Sequence, residues 1–257
     1  MNFEYSTVSG WVSSLYWPLV RVAGMVMVAP VLGGNYIPVR IRVGLTVLIT
    51  MLVAPGIQAP PVVPVMSAEA ILITATQLLI GVAIGFMVML VFNAVVMGGE
   101  SIATTMGLGY ALMNDPNNGI SVPIVSQFYS IFVTLLFLAF NGHHALIALV
   151  DASFSYLPIG EPVTVAMLWR VIDWSQVLFT GAVMVAVPAL CAMLTVNLIM
   201  GVMTRAAPQL NILSIGFPVT MMVGFIVIML TLPVVAGTFQ ALISQSMESV
   251  ADWLRMR

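Results

Sequence analysis

Charge is what this sequence lacks most. Of its 257 residues only 6% are charged, as 7 arginines, 9 acids and no lysine. A soluble domain carries about 25% charged residues, and a solvated surface cannot be built from so few. With 61% hydrophobic residues, the chain reads as an integral membrane protein of the all-α class, a set of apolar helices. No basic patch points to nucleic acid. The single cysteine, Cys191, allows no internal disulfide and no thiol–metal cluster.

The remaining absences concern chemistry. His143 and His144 are the only histidines. Neighbouring positions on a helix point in different directions, so the pair cannot chelate one ion without a further ligand, and a structural role is expected. No serine, histidine and acid set falls in a recognisable pattern, and no nucleotide-binding glycine loop is present. No catalytic residue, metal or cofactor is expected, and the chain does not read as an enzyme. Asp115, Asp151 and Asp173 fall near segment ends or loops, with Glu100 the nearest approach to a membrane-depth acid. That argues against a proton-coupled solute transporter, which would carry a buried acid at the midplane. A secretory leader is also missing from the pattern: Glu4 is acidic where a leader is basic, so the first apolar segment is expected to be retained.

What is there is six apolar runs, with 20 methionines and 20 glycines. Methionine fills irregular gaps, and glycine lets helices approach closely. The runs are 11–32, holding Pro18 and Arg21; 43–57, short for a span; 71–97, with Gly81 and Gly85 four apart; 124–150, interrupted at Asn141-Gly142-His143-His144; 177–203, with Pro188 inside; and 215–236, followed by an amphipathic tail to Arg257. A proline-rich linker, 58–65, separates the second and third. Between the fourth and fifth, Glu161-Pro162 suits a helix start. Val165, Leu168, Trp169 and Ile172 then recur at helical spacing with Arg170 and Asp173 opposite, which predicts an interfacial helix. Trp169 and Trp174 fit an aromatic belt. Arg21, inside the first run, must pair, face a wet cavity, or snorkel to an interface.

Arginine placement does not fit serial crossing. Arg40 and Arg42 put the loop after run one on the cytoplasmic side, and Arg205 does the same after run five. Arg255 and Arg257 ask for a cytoplasmic C-terminus, which six alternating spans would place outside. One run fails to cross, the second being the weakest candidate, or the helices are not ordinary spanners.

Two stretches hold polarity between apolar runs. The stretch 99–123, GESIATTMGLGYALMNDPNNGISVP, has no cation and a turn-forming core. Gly107 and Gly109 permit unusual backbone angles. Its segment Met106, Gly107, Leu108, Gly109, Tyr110, Ala111, Leu112, Met113, Asn114, Asp115, Pro116, Asn117 alternates bulky and small residues and also allows a short strand. It is either a solvent loop or a lining of a protein-enclosed pore, because uncovered irregular backbone does not survive in lipid. The second stretch, RAAPQLNILSIGFPV, is 205–219. Pro208 should end the fifth helix and Pro218 suits an early position in the sixth, while Gln209 and Asn211 can bond backbone groups freed by the break.

This second stretch resembles the signature of the FliR family of flagellar export-gate proteins, whose virulence type III secretion relatives share an R-x-x-P-Q-L-N core. Here the core is Arg205, Pro208, Gln209, Leu210 and Asn211, followed by Gly216 and Pro218. FVTLLFLAFNGHHALI resembles the family's leucine-rich helix and N/D-G-H element, MGLGYALMNDPNNGISVPIVSQF its M-G-L-x-x-A and D-P loop, and LPIGEP a family linker. IPVRIRVGLTVLITMLVAP resembles the segment after its first helix. The similarity covers nearly the whole chain in order, and Gly-Phe-Pro after the core is closer to the flagellar branch.

The resemblance implies a hetero-oligomeric channel in the bacterial inner membrane at the flagellar basal body. One such chain joins FliP and FliQ, with residues 1–175 a FliP-like part including the pore loop at about 99–123. Residues 176–257 are then a FliQ-like helical hairpin with an amphipathic tail. It implies contact with FlhB, with FlhA and the basal-body ring beside it, and unfolded flagellar proteins as the cargo. It also implies that the loop from Met106 onward closes the pore together with FliP methionines. The alternatives left open are a virulence secretion homologue and a small-solute secondary transporter.

Overall fold

The structure, a computed structural model, describes residues 5–34, 37–57, 61, 63–64, 67–108, 124–206 and 212–256, with side chains at 14 and beyond and, in the last helix, from 216. Among them every regular element is helical: α1 Tyr5–Val28, α2 Val39–Val53 with a 3-10 turn Ala54–Gly56, α3 Ala68–Thr105, α4 Ile124–Ala139, α5 Gly142–Tyr156, α6 Val165–Trp174, α7 Gln176–Ala206 and α8 Ile212–Arg255. Four described helical stretches are long and apolar enough to cross a membrane, or five if α4 and α5 form one broken span. The chain is thus an all-α, multi-helix membrane protein. The second run, weakest by sequence, is among the four, because the 3-10 turn extends α2 to Gly56.

Several boundaries differ from the sequence reading. Helix α3 does not stop at Met97; it continues through Gly98-Gly99-Glu100 to Thr105, so the first seven residues of the expected 99–123 loop are helix. Helix α8 does not break after Ala236 but runs unbroken for 44 residues through the amphipathic tail. Pro218 lies inside α8 rather than in its first turn, where proline removes one intrahelical bond and presses on the preceding turn. At 38 and 44 residues, α3 and α8 are about 57 and about 66 Å long. The hydrocarbon core of a bilayer is about 30 Å thick.

Two compact units are interleaved along the chain. The first takes residues 1–90, 141–175 and 243–257, and the second 91–140 and 176–242. Both draw on α3 and α8.

In the first unit α1 meets α3 backbone to backbone. A side chain at Gly81 would collide with the carbonyl of Arg21, and one at Gly85 would lie 2.8 Å from the carbonyl of Met25. Glycine there lets the helices approach, as the four-residue spacing suggested. The approach carries Arg21 fully into the interior. Its Nε donates to Gln77 Oε1 at 2.8 Å, one terminal nitrogen to Ser153 Oγ at 3.0 Å and the other to the Leu157 carbonyl at 2.8 Å. The Phe154 ring lies 4.2 Å from the guanidinium carbon. The snorkelling alternative is therefore overturned. Among the described residues Arg21 has no carboxylate partner; neutral acceptors and a ring face hold it instead.

Donors also converge on α3 in this unit. The Trp174 indole donates to the Met87 carbonyl at 3.0 Å, and Ser246 Oγ donates to the same oxygen at 3.2 Å. Trp174 therefore turns its polar edge inward, against the aromatic-belt expectation, while Trp169 is 61% exposed. Trp253 of the tail is buried and donates to the Met167 carbonyl at 2.9 Å. Helix α6 starts later than Glu161-Pro162 implied: Thr164 caps it, accepting from the Met167 N–H at 3.4 Å. The preceding LPIGEP closes a turn, with the Glu161 N–H on the Pro158 carbonyl at 3.1 Å and Gly160 at φ +103°.

In the second unit the Gly98-Gly99 pair has neighbours on two sides. A Cβ at Gly98 would lie 2.9 Å from Val185 of α7, and one at Gly99 would lie 2.5 Å from the Tyr129 ring of α4. Phe92 meets Phe137 and Phe239 edge to face, each at 5.3 Å between centroids. These contacts explain why α3 outlasts its apolar run: helices on either side take up its glycines.

Replacing Arg21 with Met should strand three buried acceptors and cost about 3 kcal/mol or more of stability. Lysine should not restore it, since one ammonium cannot reach three separated acceptors as the planar fork does. Thermal unfolding in detergent checks this; an Arg21→Lys variant that melts with the parent would refute the account.

Candidate functional site

The end of α3 is set by local chemistry. The Leu108 N–H bonds to the Ala103 carbonyl at 3.0 Å, and the Gly107 N–H to the Thr104 carbonyl at 3.1 Å. Gly107 has φ +84°. Together these form a Schellman closure with glycine at the left-handed position. The sequence signal is Met-Gly-Leu, the first three residues of the expected pore loop. The remainder, Gly109, Tyr110, Ala111, Leu112, Met113, Asn114, Asp115, Pro116 and Asn117, lies outside the described residues.

The three described residues do not stand free. Met106 is fully buried. Its thioether lies against Gly224 of α8, where a Cβ would sit 2.5 Å from Cε, 2.7 Å from Cγ and 2.9 Å from Sδ. Two carbons of the Phe217 ring lie 3.3 Å from where a Cβ of Gly107 would be. Asn197 of α7 donates through Nδ2 to the Thr105 carbonyl at 3.3 Å.

The second motif is partly described. Arg205 is exposed in the last turn of α7 and forms no ion pair among the described residues. A cation there suits the negative end of the helix. Pro208, Gln209, Leu210 and Asn211 lie outside the described residues. Gly216 and Phe217 line a cavity of about 570 Å³ in the second unit. Thr104, Met106 and Gly107 line it too, with Asn197 and other residues of α7. The fold thus brings Thr104 to Gly107 of the first polar stretch and Gly216 and Phe217 of the second to one cavity. Gly224 and Asn197 were not among the residues singled out from sequence, and Phe217 stood there only as part of Gly-Phe-Pro. Gly224 had a faint signal, a helix-weakening residue inside an apolar run.

Elsewhere, His143 and His144 do not diverge as expected. Their rings lie 4.1 Å apart at the start of α5, just after Asn141, which is left-handed at φ 55°. Cys191 is exposed on α7. Glu100 is exposed on α3.

Gly107→Ala should cost about 1–2 kcal/mol from the left-handed backbone alone, with the Phe217 contact adding to it. Adding Phe217→Ala should recover only the steric part. Melting temperatures of the two variants check this; full recovery in the double variant would mean that the backbone carries no strain.

Residues 12–246 match the family described as bacterial export proteins, family 1. The flagellar biosynthetic protein FliR of Escherichia coli (strain K12) is 37% identical over 243 residues, covering 94% of this chain and 93% of that protein. FliR of Pectobacterium carotovorum subsp. carotovorum is 36% identical over 255 residues, covering 99% and 97%. FliR of Bacillus subtilis (strain 168) is 23% identical over 241 residues, covering 92% and 93%. These relatives bear the name of a flagellar biosynthetic protein, not of an enzyme. By the match to family 1 of the bacterial export proteins and by these relatives, the chain belongs to the FliR family, membrane-embedded components of the flagellar export apparatus.

Proposed function

We propose that this chain is a channel subunit of the flagellar export gate in the bacterial inner membrane, forming with FliP and FliQ the pore through which unfolded flagellar proteins leave the cytoplasm. The observation that carries the reading is the shared cavity: Met106 and Gly107 of the first polar stretch line it with Gly216 and Phe217 of the second. Helices α7 and α8 also leave much apolar surface uncovered, including Leu194, Leu198, Val202, Met222, Met229 and Leu230. Such surface fits burial by lipid or by neighbouring helices.

The work of this subunit is then gating rather than chemistry. In this reading the segment from Met106 to Asn117 closes the pore. Flexible thioethers seal around an irregular gap and reseal after a chain has passed. A hydrophobic constriction also stops ions by dewetting. Arg205, Pro208, Gln209, Leu210 and Asn211 shape the break between α7 and α8, with the amides of Gln209 and Asn211 covering backbone groups that Pro208 frees, while Gly216 and Pro218 belong to the start of α8. FlhB contacts the cytoplasmic mouth, and FlhA and the basal-body ring lie beside the assembly. Residues 1–175 form the FliP-like part and 176–257 the FliQ-like part. That division follows likeness between subunits, whereas the compact units follow packing.

Purification of the native complex in mild detergent tests the assembly. FliP and FliQ should copurify with this chain, and the chain alone should move no solute in vesicles. Solute uptake by the isolated chain would favour a secondary transporter instead. Deleting residues 109–117 should leave assembly intact and make the complex leaky to ions. Assembled deletion complexes with parental conductance would remove the loop's sealing role.

A further inference from the structure

Gly224 sits in the interior of α8, where glycine is about 1 kcal/mol worse than alanine. Nothing in its own helical backbone asks for glycine. The demand comes from Met106, whose thioether fills the volume that any side chain at 224 would need. Met106 in turn lies on the last turn of α3, with Asn197 holding the residue before it and Phe217 covering the residue after it. Three successive residues of one helix end are thus gripped by α7 and α8.

We propose that Met106 seated on Gly224 is a positioning joint, fixing the end of α3 on α8 and so setting where the sealing segment departs. This rests on the reading of that segment as the seal. The joint suits repeated use. Met106 also lines the cavity beside its seat, so an unbranched thioether displaced from Gly224 has space to enter without disrupting the core. Seated, it ties α3 to α8; displaced into the cavity, it frees the helix end.

The test uses the assembled complex in a Cys191→Ser background carrying Leu108→Cys as a reporter next to the joint. Gly224→Ala should unseat Met106, raising maleimide labelling at 108 about tenfold, in line with a weakened local closure, and raising ion conductance with it. Gly237→Ala on the same helix meets nothing within 4 Å and should change neither. In a Met106→Ala background Gly224→Ala should add no further effect, because no thioether remains to displace. The joint is wrong if Gly224→Ala leaves labelling or conductance at the parental level. It is equally wrong if the effect persists without Met106. A tight Gly224→Ala complex alongside a leaky 109–117 deletion would reject the joint and keep the seal; if the deletion is tight as well, the seal reading falls and takes the joint with it.

Discussion

Close backbone approach to α3 is the constraint on which both units depend. Helices in an apolar environment gain little from hydrophobic burial against one another, so they are held by packing and by hydrogen bonds that need short distances. Gly81 and Gly85 put α1 against α3 in the first unit, and Gly98 and Gly99 receive α7 and α4 in the second. A single methyl at Gly81 would meet main chain rather than a movable side-chain tip. Approach at that distance is what brings the Arg21 guanidinium within reach of Gln77 and places the Phe154 ring against it.

Arg21 shows how a nearly uncharged protein carries an interior cation. A buried arginine must have its donors directed at acceptors, because no water is present to receive them. Here an amide from α3 and a hydroxyl and a main-chain carbonyl from α5 and its C-terminal cap supply those acceptors. The result is a joint with directions, which packing of Leu on Leu would not provide. The Met87 carbonyl repeats the theme with acceptor and donor reversed, one oxygen collecting an indole and a hydroxyl. Both sites use the polarity of the chain to fix geometry where hydrophobicity alone leaves helices free to rotate.

Helices were legible from sequence because apolar length and charge depletion report them directly. Their ends were less so. Gly98-Gly99-Glu100 looks like the start of a loop to any local rule, yet flanking helices take up the glycines and α3 continues to Thr105. Trp174 looked like an interface anchor because its acceptor, Met87, is far away in sequence. The same limit applies to the candidate site. Met106 and Gly107 stood out by composition, but the residues that hold them, Asn197, Phe217 and Gly224, are distant in the chain and individually ordinary. A periodicity records which residues share a helix face, not which face meets another helix.

Helix length bears on the arginine pattern that serial crossing could not satisfy. A helix about twice as long as the hydrocarbon core is thick, as α3 and α8 are, must tilt strongly or extend beyond the apolar layer. Sequence counts assume one crossing per run and lose their footing for such helices. The second unit places a glycine-closed helix end beside a cavity lined from α3, α7 and α8. Left-handed backbone at that end has to be covered by protein or water, because backbone groups left unpaired are costly in lipid.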